Sequence, residues 1–304
     1  MISTIIFSRD RANQLSLLLD SISKNGSNLF DMTVIYNASS DAFQDGYNIL
    51  EDQHEEIVWI KQQSPPSDFR EITLQAIKNS GEYVCFFVDD NILYRKVATT
   101  FESIDAMFRY FDTQEKQLLC LSLRLGSNTS VQNEYENKAC PFPQELIAVD
   151  NLYAVWDWTM LPEHTNFAYP FSLDGHIYRK DQVLEMVTYD FDTPNGLEGS
   201  GWTDEVIAEI EERPPTDAEV RRGAFEVSLP NLMACFEDSA LVNNPINVVG
   251  SSKNEAGNKY GMPLEELNDL FLSGHAIDLD SMDFSEVRGC HQEIRYQFKG
   301  EVKC

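Results

Sequence analysis

The chain predicts an α/β fold built on a mostly parallel sheet. Two features of its first hundred residues carry that expectation: short apolar runs alternate with stretches of helical periodicity, and helices cross between successive strands. A helical crossover favours parallel neighbours, because parallel strands need a long connection. The candidate strands are Thr4–Phe7, Thr33–Tyr36, Ile57–Ile60 and Tyr83–Val88. Between the first two, Leu15, Leu18, Leu19 and Ile22 recur at three- and four-residue spacing and place one apolar stripe on a helix. Before the fourth strand, Asp68 followed by Glu71 has the form of a capping box. Phe69, Ile72, Ala76 and Ile77 then supply a buried face, and Gly81 is placed to end the helix. Leu118–Leu123 adds a further strand.

Beyond that strand the pattern loosens. Residues 128–149 are polar and loop-like, and from Val155 onward the sequence is irregular and aromatic. Residues 203–220 are acidic, carry Pro214 and Pro215, and read as a surface excursion. Met233–Phe236 is strand-like, and Asn243–Val249 is turn-like. Pro263–Phe271 reads as an amphipathic helix ending before Gly274, packed on its own core, closing a site or docking a partner.

With 42% hydrophobic residues, 304 residues suffice for a full core. Fifty acidic residues against 23 basic ones leave a formal charge of -27, which repels phosphate backbones and anionic headgroups and argues against nucleic acid as a partner. An anionic small ligand is repelled too, so binding one requires a bound cation or a local cluster of basic side chains. Charge appears by Asp10, before any signal-peptide-length apolar stretch, and no run reaches transmembrane length. The expected location is the cytoplasm. Cys85, Cys120, Cys140, Cys235, Cys290 and Cys304 lack C-x-x-C spacing, which points to reduced thiols rather than a zinc or redox site.

Ligands of open α/β sheets lie beyond the carboxyl ends of the strands, so residues 8–11, 37–40 and 89–91 should share one rim. The apolar strand Tyr83–Val88 runs straight into Asp89-Asp90-Asn91. Paired carboxylates there suit Mg2+ or Mn2+ bridging a diphosphate, and they serve equally as turn formers. In the first loop Asp10 can accept from a base or ribose, and Arg9 and Arg11 can meet phosphate. Arg70 is a further cation near the start of its helix. Trp156 and Trp158 would face one side of an extended segment, toward a sugar or toward the core. His176 and His275 can each offer a nitrogen ligand or a structural hydrogen bond. No phosphate-binding Gly-x-x-x-x-Gly-Lys loop, Gly-x-Gly-x-x-Gly fingerprint or Gly-x-Ser-x-Gly elbow is present, which argues against P-loop ATPases, dinucleotide oxidoreductases and α/β-hydrolases.

Taken in order, residues 3–15 (Ser3-Thr-Ile-Ile-Phe-Ser-Arg-Asp-Arg-Ala-Asn-Gln-Leu15), Thr33-Val-Ile-Tyr-Asn37 and Phe86-Phe-Val-Asp-Asp90 resemble the nucleotide-binding half of GT-A glycosyltransferases, the family-2-like group in particular. The resemblance implies a mixed, mostly parallel Rossmann-like sheet flanked by helices. Residues 1–125 would bind the nucleotide sugar, and residues 126–304 would form the acceptor half and a C-terminal helical extension. It places Ser8, Arg9, Asp10, Arg11, Asn37, Asp89 and Asp90 at the donor, and Arg70 joins them as a candidate by its position near the start of the third helix. Asp89, Asp90 and Asn91 stand at a DxD-like metal element for Mn2+ or Mg2+, with Asn in place of the second Asp. Tyr169–Arg179 and Pro194–Gly199 are similar in order to the acceptor-site stretch, where Glu198, or else Asp174, would take the proton of the acceptor hydroxyl. The implied activity moves a sugar to a glycan, lipid-linked or small-molecule hydroxyl. A nucleotidyltransferase acting on a sugar phosphate and a catalytically silent nucleotide-sugar-binding protein are the alternatives, although the first loop lacks the glycines usual in nucleotidyltransferases.

Overall fold

The computed structural model describes residues 1–132, 138–147, 153–161, 165–187, 190–199, 229–249 and 257–300. The acidic stretch 203–220 and Cys304 lie outside these residues. The strands are β1 (Ile2–Arg9), β2 (Phe30–Asn37), β3 (Val58–Lys61), β4 (Tyr83–Val88), β5 (Asn91–Leu93), β6 (Leu118–Ser122), β7 (Tyr153–Asp157), β8 (His176–Arg179), β9 (Leu232–Phe236) and β10 (Leu241–Asn243). The helices are α1 (Ala12–Asn25), α2 (Asp41–Gln53), α3 (Phe69–Asn79), α4 (Phe101–Asp112), α5 (Lys180–Met186), α6 (Pro194–Gly199) and α7 (Leu264–Leu272).

Eight strands form one mixed sheet in the order β3-β2-β1-β4-β8-β6-β9-β7, and β5 and β10 form a separate antiparallel ribbon. β1 pairs in parallel with β2 and β4, and β2 with β3. β8 runs against both β4 and β6, while β6 and β9 are parallel and β7 runs against β9. Only β7 and β8 are therefore reversed, so the sheet is mostly parallel and crosses from the first 125 residues into the rest.

Both faces of the sheet are covered. Tyr83, Cys85 and Phe87 of β4 pack with Leu15, Leu18, Tyr47 and Phe108 of α1, α2 and α4. The alternate Val84 and Phe86 join Ile77 of α3 and Val183 and Met186 of α5. Burial on both faces is why β4 reads as an unbroken apolar run. Each such side chain contributes about 1.5–3 kcal/mol. A third cluster ties Leu17 of α1 and Ile92 of β5 to Val242, Leu267, Ile277, Ile294 and Tyr296, so the C-terminal segment folds back against the first helix.

Several local expectations are corrected. Asp68 makes no capping bond to α3; its carboxylate accepts instead from the backbone N–H groups of Gln63 and Ser64 and the side chain of Gln62, bracing the preceding loop. The helix gives way at Ser80, one residue before Gly81. Periodicity left α2 and α4 unlocated. Gly46 inside α2 weakens the helical signal, yet an added Cβ there would lie 2.8 Å from Ala12 Cβ, so it permits the close approach of α1 and α2. Trp156 and Trp158 are fully buried, with their indole N–H groups donating to the carbonyls of Phe167 and Pro230. They belong to the core. α7 likewise buries Leu267 and Phe271 against its own fold.

Candidate functional site

β1, β2 and β4 end on one edge of the sheet, and the reversed β8 starts there, so four chain segments converge. At the end of β1 the backbone turns sharply at Asp10, which has φ 58°. Short polar residues tolerate that left-handed conformation best. The turn sends neighbouring arginines in opposite directions: the Arg9 side chain stays 52% exposed, while that of Arg11 is only 9% exposed. Asp10 is buried; its N–H donates to the carbonyl of Asn37 at the end of β2, and its carboxylate accepts from Ser39 N–H at 2.7 Å. The Ser8 hydroxyl is hydrogen-bonded to the Tyr47 hydroxyl at 2.7 Å.

Arg11 reaches across to β4. Its Nη1 lies 2.9 Å from both Asp89 Oδ1 and Asp90 Oδ2. Its Nε and Nη2 donate to the side chain and backbone carbonyls of Asn247, which aims the guanidinium. The remaining carboxylate oxygens are also engaged, Asp89 Oδ2 by Arg9 N–H at 2.9 Å and Asp90 Oδ1 by Asn243 Nδ2 at 2.6 Å. Asp89 and Asp90 are thus buried and ion-paired, not set on a solvated rim. Burial raises Asp90 to about 6, with Arg11 pulling down and Asp89 and Asp174 pushing up.

Asn91 turns away from this pair. Its Oδ1 accepts from Val88 N–H, and its Nδ2 donates to Asp174 Oδ1 at 2.9 Å. Asp174 stands in the turn before β8, made possible by Gly175 at φ 71°. Its other oxygen takes Arg124 Nη1 at 2.9 Å in a pair whose side chains are 4% and 9% exposed. Glu198 of α6 accepts from Leu173 N–H at 3.0 Å. Burial, reinforced by Asp174 and opposed by Arg124, raises its carboxyl to about 7. Both carboxyls that the resemblance puts forward as proton acceptors therefore belong to one cluster around Arg124.

His291 links the two clusters. Asn243 donates its amide to Asp90 and so presents Oδ1 to His291 Nδ1 at 3.2 Å, which places the ring proton on Nδ1. Nε2 then faces Asp174 Oδ2 at 3.8 Å. Burial holds this imidazole below its ordinary pKa, Asp174 opposes that, and Arg124 adds to it. Arg124, Asn243, Asn247 and His291 were not singled out in the sequence. Arg124 follows β6 at the same edge, so the carboxyl-end rule that picked out Asp89 also reaches it.

Other candidates fall elsewhere. Arg70 pairs with Asp190 at 3.5 Å and lies over the Phe191 ring, and no ion pair joins it to Asp89 or Asp90 among the described residues. His176 is buried and held by Tyr178, with its pKa pushed well down by burial. His275 faces the carbonyl of Lys299. A cavity of about 630 Å³ lined by Ser27, Val97 and Thr100 lies at the opposite edge of the sheet, with no buried carboxylate or arginine in its wall.

The DxD resemblance implies a divalent ion between Asp89 and Asp90, and the donor set does not fit one. The two oxygens a metal would bridge are those that Arg11 holds, and Asn91 is committed elsewhere. Among the described residues no group of three His, Cys, Asp or Glu side chains gathers to hold a metal.

The architecture is the mixed, mostly parallel α/β sheet flanked by helices that the sequence predicts, with an acidic element following β4. Known structures with a similar course include S. aureus TarS, at 14% identity and TM-score 0.42, over 79% of this chain and 36% of that one. TarS 1-349 in complex with UDP matches at 15% identity and TM-score 0.39, over 79% of this chain and 59% of that one. The galactosyltransferase LgtC, in complex with donor and acceptor sugar analogs, matches at 14% identity and TM-score 0.33, over 89% of this chain and 95% of that one. The chain spans about a third of the length of the TarS chain. No family model and no curated protein matches. At such identities the chemistry of the site has to rest on its own residues. No helix among the described residues is long and apolar enough to cross a membrane.

Proposed function

We propose that this chain transfers a sugar from a nucleotide-diphosphate donor to a hydroxyl acceptor at the carboxyl edge of its sheet. The observation that carries the reading is one continuous polar tract along that edge. Arg11, Asp89 and Asp90 stand at one end and Arg124, Asp174 and Glu198 at the other, joined through Asn243 and His291, with Asn91 bonded to Asp174. The first end offers cations for phosphate, with Ser8, Asp10 and Asn37 framing the nucleoside. The second holds a carboxyl raised to about 7, which suits a group that must take a proton near neutral pH.

In the reaction the acceptor oxygen bonds to the anomeric carbon. The bond from that carbon to the diphosphate oxygen breaks, and its electron pair stays on the diphosphate. The acceptor proton passes to Glu198. Asp174 has both oxygens engaged, so it acts as a positioning residue that orients Arg124 and Asn91. Arg11 faces the departing diphosphate, where preorganised positive charge contributes most. Residues 1–125 mainly serve the donor and 126–304 mainly the acceptor, a glycan, lipid-linked or small-molecule hydroxyl, with Arg124 reaching the acceptor end and Asn243 and Asn247 returning to the donor end.

Thermal unfolding with a panel of nucleoside diphosphates and their sugars tests donor binding. A ligand at 100 times its Kd adds about 2.7 kcal/mol to native stability. A shift confined to one base supports the reading, and no shift with any of them refutes it. Diphosphate release on adding acceptor separates transfer from silent binding. Pyrophosphate release from a nucleoside triphosphate and a sugar phosphate would instead show nucleotidyl transfer.

A further inference from the structure

We infer that Arg11 is the resident cation of the acidic pair, so that the site takes a diphosphate without a divalent metal and a metal enters only when Arg11 is removed. The inference rests on the transfer reading for the nature of the ligand; the exclusion of metal stands on geometry alone.

All four carboxylate oxygens of Asp89 and Asp90 already have a protein donor. Mg2+ needs near-octahedral oxygen ligation at about 2.0–2.1 Å. The oxygens it would bridge are Asp89 Oδ1 and Asp90 Oδ2, each 2.9 Å from Arg11 Nη1. An ion placed there would press a double positive charge against a guanidinium that does not deprotonate. Solvent screens that repulsion poorly, since the three side chains are 9%, 6% and 10% exposed.

Arg11 is not a loose side chain that a metal can brush aside. Asn247 holds Nε and Nη2, and the Arg11 backbone N–H donates to the Tyr47 hydroxyl at 3.2 Å. Of the five guanidinium N–H groups, these contacts use all but one on Nη2. A phosphate oxygen meets that remaining donor and the charge behind it, with exposed Arg9 as a second cation. The arrangement also answers the long-range repulsion from a chain of charge -27, since the local cation is built in.

The test titrates Mn2+ alone into the whole chain and follows free Mn2+ by electron paramagnetic resonance. The expected result is no Asp89-dependent site in the wild type, and in Arg11→Gln one site at least tenfold tighter than any wild-type binding, lost in Arg11→Gln/Asp89→Asn. A wild-type site that Asp89→Asn abolishes overturns the inference, and this arm decides even if Arg11→Gln fails to fold. An Arg11→Gln protein that folds and gains no site overturns it as well. A second arm measures nucleoside diphosphate affinity in EDTA and in Mn2+. Equal affinity supports the inference, and binding that needs Mn2+ overturns it. Absence of binding in both conditions refutes the transfer reading, while the Mn2+ arm still decides this one.

Discussion

Glu198→Gln is the most informative single change, because it perturbs stability and catalysis through one proton. The wild-type carboxyl sits at about 7 against its ordinary 4.5, chiefly through burial. An acid whose pKa rises on folding binds an extra proton in the native state between those two values. Its contribution to stability is therefore undiminished below about 4.5, falls as pH rises toward about 7, and stays at its low level above that. At 1.36 kcal/mol per pKa unit the full loss is about 3 kcal/mol, reduced by solvent screening because Glu198 is only half-buried. Gln keeps an oxygen for Leu173 N–H and removes the titration. The stability difference, variant minus wild type, should thus grow by about 1–3 kcal/mol between pH 4.5 and 8. Urea unfolding followed by tryptophan fluorescence across that range measures it, and titrating groups that do not interact with Glu198 cancel in the difference. A constant difference would refute the argument that Glu198 is held protonated by its surroundings. The same carboxyl, if it accepts the acceptor proton, makes the wild-type transfer rate climb with pH through about 7, while the Gln variant stays flat and slower by about 10²–10⁴-fold.

Arg124→Met should cost about 3–5 kcal/mol in chemical denaturation, because it strands the carboxylate of Asp174 in a buried site. Arg124→Met/Asp174→Asn should recover part of that loss, and equal losses in the two would count against the pairing. Trp156→Ala should cost about 3–5 kcal/mol as a core cavity and leave donor affinity unchanged; lost ligand binding at unchanged stability would place the indole in the site instead.

Much of the fold was legible because it rests on local signals. β4 is an unbroken apolar run buried on both faces, and Asp89-Asp90 directly after it put two carboxylates at the carboxyl edge of the sheet. The stripe on α1 and the strand Leu118–Ser122 follow from the same periodicities. Asp174 and Glu198 follow only from the resemblance in order of residues 169–179 and 194–199 to an acceptor-site stretch, and the structure gathers both around Arg124. Residues 8–11 were legible as a charged loop on the ligand rim, but not which of their charges turns inward.

What periodicity could not say is which charge goes inside. Asp10 at φ 58° turns Arg11 onto Asp89 and Asp90 and leaves Arg9 in solvent, and no composition or spacing encodes that choice. Asn243 and His291 arrive through the pairing of β10 with β5 and the bridge between those two residues, and Asn247 lies just beyond β10. The pKa of Glu198 and the occupant of the acidic pair are sums of desolvation and Coulomb interactions over groups far apart in the chain. Such sums exist only once the chain has closed, whereas the alternation that builds each strand and helix is written residue by residue.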